Sequence, residues 1–125
     1  MANSAMTQKQ RKAKLFWQAR ARLYAQVPFN LRLPIAVGSG KQLLDDPVFM
    51  DGINPQALRS AIHQYVNNEL VLRKLVKGGV RYDLEGNPVE ATESDLKYAR
   101  QRLSEVKAKR LEMTSRRQGS KTMLA

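Results

Sequence analysis

The sequence contains no cysteine among its 125 residues. Disulfide bonds, thiolate zinc sites, iron–sulfur clusters and cysteine nucleophiles are therefore excluded. His63 is the only histidine, and one imidazole without a second strong ligand disfavours a metal site, so we expect no metal and no cofactor. The glycine-rich phosphate loops and the nucleophile elbow of common enzymes are also missing, and we predict no catalytic residue and no enzymatic activity.

Long apolar runs are missing as well. No stretch approaches the ~20 residues needed to span a bilayer, and Met1 to Lys14 is polar and basic without the apolar core of a signal peptide. We therefore expect a cytoplasmic protein without a membrane partner. A chain of 125 residues suits one domain with one core, and we expect a monomer with no small-molecule substrate.

Acidic residues are few and unevenly distributed. The chain has 22 Lys and Arg against 11 Asp and Glu, which gives a formal net charge of +11. Residues 1–44 contain eight basic residues and no acid, residues 45–95 contain five bases and nine acids, and residues 96–125 contain nine bases and two acids. A basic surface that only keeps the protein in solution would not require its charge to be concentrated at the two ends of the chain. The distribution favours a polyanionic partner, nucleic acid before an anionic membrane surface.

Hydrophobic periodicity predicts a mostly α-helical α+β fold with about five helices and one small antiparallel β-hairpin. The first helix covers residues 9–26, where Leu15, Ala19 and Leu23 recur every fourth residue. The aromatic side chains beside this stripe are typical of a core, and fit a base-stacking platform less well. They are Phe16, Trp17 and Tyr24.

Capping residues predict where the next helices begin. A short helix covers residues 41–46. Asn54 is a good N-cap and Pro55 is favoured at the first helical position, which makes this the clearest helix start in the chain. A further helix runs over residues 68–76 and ends at Gly78-Gly79.

Turn residues in the second half of the chain predict the β-hairpin. Arg81 to Leu84 forms one strand, Glu85-Gly86 is a two-residue turn, and Asn87 to Glu90 returns. Thr92 to Asp95 resembles a capping box and begins the last helix, which we expect to end near Met113.

Several residues between Asn54 and Arg81 are suited to hold phosphate. A helix start at Asn54 presents unpaired N–H groups, and Arg59 one turn further along can add a guanidinium. Lys74, Lys77 and Arg81 surround the Gly78-Gly79 turn, where backbone can approach a ligand closely. Each residue alone is typical of a solvated charge, but the group indicates an anion-binding surface.

Three segments resemble the ProQ/FinO family of bacterial RNA chaperones. They are Leu58-Arg59-Ser60-Ala61 followed by Tyr65, the run from Gly79 to Pro88, and Ala99-Arg100 with Leu103 in a basic helix. The Arg-x-Asp-Leu-x-Gly-Asn-Pro run that begins at Arg81 is the most specific, and the similarity covers residues 11–110. The resemblance implies a FinO-like fold in a minimal member. The expected parts are a flexible tail over 1–8, the RNA-binding domain over 9–113 and a flexible basic tail over 114–125.

The resemblance also implies a function in post-transcriptional regulation. Family members bind small RNAs and mRNA 3′ ends, recognise a GC-rich stem followed by a single-stranded 3′ U-tail, and promote RNA–RNA pairing. Carried over, Asn54 to Gln56 and Arg81 form the pocket, while Arg59 and His63 follow the stem phosphates. The predicted RNA-binding residues are Lys41, Asn54, Gln56, Arg59, His63, Arg73, Lys77, Arg81, Arg100 and Lys107.

Two positions depart from the family pattern. Val71 stands where some relatives have a tyrosine of the tail pocket, and Ala36 stands where some have a lysine. Either Lys41 or Arg73 supplies the missing contact, or the pocket holds the tail less tightly, so the departures bear on recognition of the tail more than on RNA binding.

Two other functions fit parts of the pattern. A helix-turn-helix-like DNA regulator would insert the helix from Asn54 to Val66 into a major groove, but it leaves the hairpin without a role. Alternatively, the chain is a basic accessory protein of a larger assembly, a function that requires no affinity for nucleic acid.

Overall fold

The structure, a computed structural model, describes residues 6–124, with side chains to residue 117. The described residues form five α-helices and one two-stranded antiparallel sheet, as predicted. The elements are α1 (Gln8–Tyr24), a 3-10 turn (Phe29–Leu31), α2 (Ser39–Leu44), α3 (Pro55–Val66), α4 (Glu69–Gly78), β1 (Val80–Tyr82), β2 (Pro88–Glu90) and α5 (Glu93–Leu124).

Three of the predicted helix starts are confirmed by their capping residues, whereas the short helix predicted over residues 41–46 begins two residues earlier, at Ser39, without a side-chain cap. Asn54 Oδ1 accepts the N–H of Ala57 at 3.0 Å, with Pro55 as the first residue of α3. Asn68 Oδ1 accepts the N–H of Leu70 at 2.9 Å and starts α4. Thr92 and Asp95 form the reciprocal bonds of a capping box before α5. These starts depend on bonds within one turn, which is why the sequence predicts them.

The larger of two apolar clusters lies between α1 and α3. Tyr65 of α3 is fully buried at its centre, in edge contact with Tyr24 at 5.6 Å and Phe29 at 4.7 Å between ring centroids. Its hydroxyl donates to the carbonyl oxygen of Leu33. Burial raises the pKa of Tyr65, so the side chain stays a neutral donor. The bond ties the connector after α1 to α3.

The smaller cluster joins α4 to the first half of α5. Leu72 and Leu75 of α4 pack against Ala99 and Leu103 of α5, all four side chains buried. Gly79 ends α4 in the left-handed region at φ 67°, a conformation that glycine adopts without strain. The chain thereby turns directly from α4 into β1.

The hairpin differs from the prediction at its turn. The strands are shorter than expected, and Asp83 to Asn87 forms a five-residue connection where a two-residue turn was predicted. The carboxylate of Asp83 accepts the N–H groups of Glu85 and Asn87, at 2.9 and 2.8 Å, and the N–H of Asp83 donates to the Asn87 carbonyl at 3.0 Å, so these bonds close the loop. β1 also pairs with the connector, because the N–H of Ala36 donates to Tyr82 O at 2.8 Å and the N–H of Tyr82 donates to Pro34 O at 2.8 Å.

The predicted end of the last helix near Met113 is wrong, because α5 continues to Leu124. No proline stops it, and an ion pair four residues apart, Glu112 with Arg116, supports the added turns. The tail predicted for residues 114–125 is therefore helical up to residue 124. Of the tail predicted for residues 1–8, the first five lie outside the described residues, and Thr7 caps α1.

One core prediction in α1 is also wrong. Phe16 and Tyr24 are half-buried against the larger cluster, but 58% of the Trp17 side chain is exposed. Trp17 stands two residues from Ala19, a rotation of about 200° around the helix, so the two point to different sides.

Removing the Tyr65 hydroxyl should destabilise the fold. Tyr65→Phe keeps the buried ring but leaves the Leu33 carbonyl without its partner, and we expect a loss of about 1–3 kcal/mol in the free energy of unfolding. Urea unfolding followed by circular dichroism measures it. Tyr98→Phe removes a hydroxyl from a side chain that is 63% exposed and is the matched control. Equal stability of the two variants would contradict the role of this bond.

Candidate nucleic-acid interface

A cleft between the first half of α1 and the start of α3 collects polar and basic side chains. We call it the α1–α3 cleft; its volume is about 460 Å³. Arg11 and Lys12 line it from α1. Asn54, Gln56 and Ser60 line it from the other side. The start of α3 is held in place by Arg22, whose Nη1 donates to the carbonyl oxygens of Phe49 and Asp51 at 2.8 and 2.9 Å.

The amides at the start of α3 are less available than the sequence predicted. Pro55 has no N–H, the N–H of Ala57 donates to the Asn54 side chain, and that of Leu58 donates to the Asn54 carbonyl. Gln56 alone in this turn keeps an N–H without a partner among the described residues. Anion binding at this end of α3 therefore depends on side-chain cations more than on backbone amides.

One exposed face of α3 aligns three of the predicted residues. Gln56, Arg59 and His63 are spaced three and four apart, so they follow one side of the helix, and all three are exposed. Arg59 Nη1 lies 3.4 Å from Gln56 Oε1. We call this surface the α3 face. It begins at the α1–α3 cleft and ends at His63.

A second pocket, of about 400 Å³, lies where α4 turns into β1. We call it the lysine pocket. Lys74, Lys77 and Gly78 line one side, and Tyr82 with the connector at Leu33-Pro34 lines the other. Lys74 Nζ donates to the Leu31 carbonyl at 3.2 Å, which holds its ammonium group over the connector. Lys77 is exposed at the same pocket.

Arg81 lies on β1 but points into the protein. Only 18% of its side chain is exposed. Its Nη1 donates to the Ile35 carbonyl at 3.2 Å, and its Nε lies 3.6 Å from a carboxylate oxygen of Asp95. The α1–α3 cleft is lined by Asn54 and Gln56 but not by Arg81, so this cleft does not bring the three residues of the predicted pocket together. Arg81 instead fixes β1, whose Tyr82 lines the lysine pocket.

Two other predicted residues, Arg73 and Lys107, lie near the carboxylate of Glu69. Arg73 Nη2 lies 2.6 Å and Arg110 Nε 2.7 Å from the carboxylate of Glu69, and Lys107 is near enough to act on it. The hydrogen bond from Arg110 is the main cause that lowers the pKa of Glu69, so the acid stays charged and holds these cations. Arg73 is therefore engaged by Glu69, and Val71 two residues before it is a buried core residue.

The remaining predicted residues are dispersed. Arg100 is half-exposed on α5, with its Nη2 4.0 Å from Glu93. Lys41 is exposed on α2. Neither lines the α1–α3 cleft or the lysine pocket.

A third pocket was missed by the sequence. It has a volume of about 560 Å³ and lies between the second half of α1, the end of α3 and α5; we call it the Trp17 pocket. Of the predicted residues it contains only His63. The exposed side of α1 at Trp17 and Arg20 was the available signal, because these two residues are three apart and lie off the apolar stripe. Its main lining residues are Trp17, Arg20, Tyr24, His63, Asn67 and Arg102.

Between residues 6 and 124 no helix has both the length and the apolar character to cross a bilayer. The same part of the chain brings no three carboxylate or imidazole side chains together as metal ligands.

Comparison with known proteins identifies a family and a shared fold. The model of the ProQ/FINO family matches residues 8–116. A solved structure of a FinO-like RNA chaperone from Neisseria meningitidis MC58 aligns with a TM-score of 0.59 and 17% sequence identity. The alignment covers 82% of this chain and 98% of that one, and at this identity it shows a shared fold. The family match spans most of the sequence, and the chain therefore belongs to the ProQ/FinO family of RNA chaperones.

Proposed function

We propose that this chain binds structured RNA of the terminator type, a duplex stem followed by a single-stranded 3′ tail, and promotes RNA–RNA pairing in post-transcriptional regulation. The observation that carries the proposal is the exposed α3 face, with Arg59 and His63 one turn apart, beside Arg11 and Lys12 of the cleft. Among the described residues, the exposed cations Arg11, Lys12 and Arg59 have no acid partner, an arrangement that fits a phosphate backbone.

The α3 face suits the stem. Side chains do not reach the bases in the deep major groove of A-form RNA, so proteins recognise it through phosphates and 2′-hydroxyl groups. Gln56 offers an amide for a hydroxyl, and Arg59 offers a guanidinium for a phosphate. The α1 cations Arg11 and Lys12 extend the same contact past the start of α3.

The lysine pocket suits the tail. It is concave, it carries two ammonium groups, and Tyr82 adds an aromatic side chain on its wall. A single-stranded 3′ end can enter a pocket of this size, which a duplex cannot. Arg81 takes part indirectly in this scheme, because its bond to Ile35 and its proximity to Asp95 hold the strand that forms the wall.

The tail should contribute measurable affinity. A terminator hairpin with its U-tail is expected to bind several-fold more tightly than the same hairpin with the tail removed or its 3′ end blocked. Fluorescence anisotropy of labelled RNA at fixed salt measures both dissociation constants. Equal affinities would exclude recognition of the tail, and a preference for duplex DNA in competition would favour a DNA-binding regulator.

Arg59 should contribute to stem binding through its charge. We expect Arg59→Ala to weaken hairpin binding about fivefold, or about 1 kcal/mol, whether or not the tail is present. The slope of log K against log salt should fall by about 1, because one fewer phosphate is neutralised. Arg59→Lys keeps the charge and should keep the slope. An unchanged slope in Arg59→Ala would remove Arg59 from the interface.

Lys77 should act on the tail alone. Lys77→Ala removes an exposed cation of the lysine pocket, and we expect a smaller ratio between the affinities of tailed and tailless hairpins. Lys97→Ala removes the same charge from an exposed position on α5 and should leave the ratio unchanged. The same assay measures both variants. If the two variants change the ratio equally, the lysine pocket is not the tail site.

A further inference from the structure

The Trp17 pocket has features that the contacts proposed for the stem and the tail do not use. Trp17 is the only tryptophan in the chain, and it is 58% exposed although the larger apolar cluster packs against another side of α1. Tryptophan is usually buried for most of its surface, so an indole presented to solvent at the edge of a pocket is a candidate contact surface.

Arg20 stands between two aromatic rings in this pocket. Its guanidinium carbon lies 5.1 Å from the centroid of Trp17 and 4.1 Å from that of Tyr24. Its Nε is covered from solvent and has no hydrogen-bond partner among the residues that the structure describes. Within that part of the chain the guanidinium contacts aromatic rings and forms no ion pair with an acid.

The opposite wall is held in a fixed arrangement. Arg102 Nε donates to Asn67 Oδ1 at 2.6 Å, and Asn67 Nδ2 donates to the His63 carbonyl at 2.9 Å. Arg102 Nη1 also donates to Glu105 Oε1 at 3.1 Å, and these bonds together fix Arg102 across the pocket from the indole side. Glu69 also lines the pocket, but its carboxylate is bound by Arg73 and Arg110.

We propose that the Trp17 pocket binds an unpaired nucleobase of the RNA, stacked on the Trp17 indole, with Arg20 and Arg102 beside its phosphate. An aromatic face next to guanidinium groups is the combination that holds single-stranded nucleic acid without regard to sequence. A volume of about 560 Å³ lies within the usual size of small-ligand pockets. The inference rests on the proposed RNA binding.

His63 connects this pocket to the stem. It is the last residue of the α3 face and also lines the Trp17 pocket. The α3 face runs from Gln56 to His63, seven residue steps and about 10 Å at 1.5 Å per residue. A strand that leaves the duplex beyond His63 therefore meets Trp17 directly. This continuity favours an unpaired nucleotide flanking the stem over a separate ligand.

The single tryptophan makes the test specific. The full chain is titrated with a labelled hairpin RNA that carries a short unpaired extension on either side of its stem, and with the same hairpin carrying abasic residues in the extension. Anisotropy of the labelled RNA reports binding, and Trp17 emission reports the pocket. We expect the base-containing extension to quench Trp17 emission and the abasic one to leave it largely unquenched.

Variants separate stacking from charge. Trp17→Ala should weaken binding of the extended hairpin about tenfold, and Trp17→Phe should recover most of the loss. Tyr98→Ala removes a similarly exposed aromatic side chain from α5 and should bind like the unchanged protein. Unfolding in urea checks that all three variants fold.

Each result has one meaning. RNA binding by anisotropy without quenching of Trp17, or equal quenching by the abasic extension, overturns the stacking site and leaves the proposed function intact. Absence of RNA binding at low salt overturns the proposed function itself. A Trp17→Ala protein that binds the extended hairpin normally also overturns the stacking site.

Discussion

The buried side chain of Tyr65 fixes the parts of this molecule relative to one another. Its ring contacts Tyr24 of α1 and Phe29 of the following turn, and its hydroxyl holds the connector at Leu33. The connector then pairs with β1 through the backbone of Ala36 and Tyr82. One residue of α3 thus positions α1 beside the cleft and the connector beside the lysine pocket. An unpaired carbonyl at Leu33 would loosen the wall of that pocket as well as the core.

The few acids of the chain decide which cations remain available for RNA. Glu69 holds Arg73 and Arg110, Asp95 lies beside Arg81, and Glu93 lies beside Arg100. Some of the cations that produce the net charge of +11 are therefore paired with acids, and others are not. The cations that line the α1–α3 cleft and the α3 face have no acid within ion-pair distance among the described residues. These unpaired positions are where an RNA phosphate gains most.

Features that depend on neighbouring residues could be predicted from the sequence, and features that depend on distant ones could not. The caps at Asn54, Asn68 and Thr92 act within one turn, and the three helix starts follow from them. The inward position of Arg81 depends on Ile35, 46 residues earlier, so the motif that identified Arg81 could not show that it is enclosed. The five-residue hairpin loop was predicted only in part. The sequence predicts a hairpin with Asp83 in its first strand, whereas the Asp83 carboxylate accepts N–H groups of the loop.

A protein that helps RNAs pair must hold a structured RNA and also release it. The stem contacts proposed above are exposed side chains on α1 and α3, whose cations each contribute about 1 kcal/mol or less and are weakened by salt. Such contacts position a duplex without enclosing it. A pocket for an unpaired base at the end of the same face adds affinity only where a strand is already open, because a base within a duplex is stacked on its neighbours. Binding would then favour RNAs with a free strand next to a stem, and pairing of that strand with a second RNA would remove the stacked base and promote release.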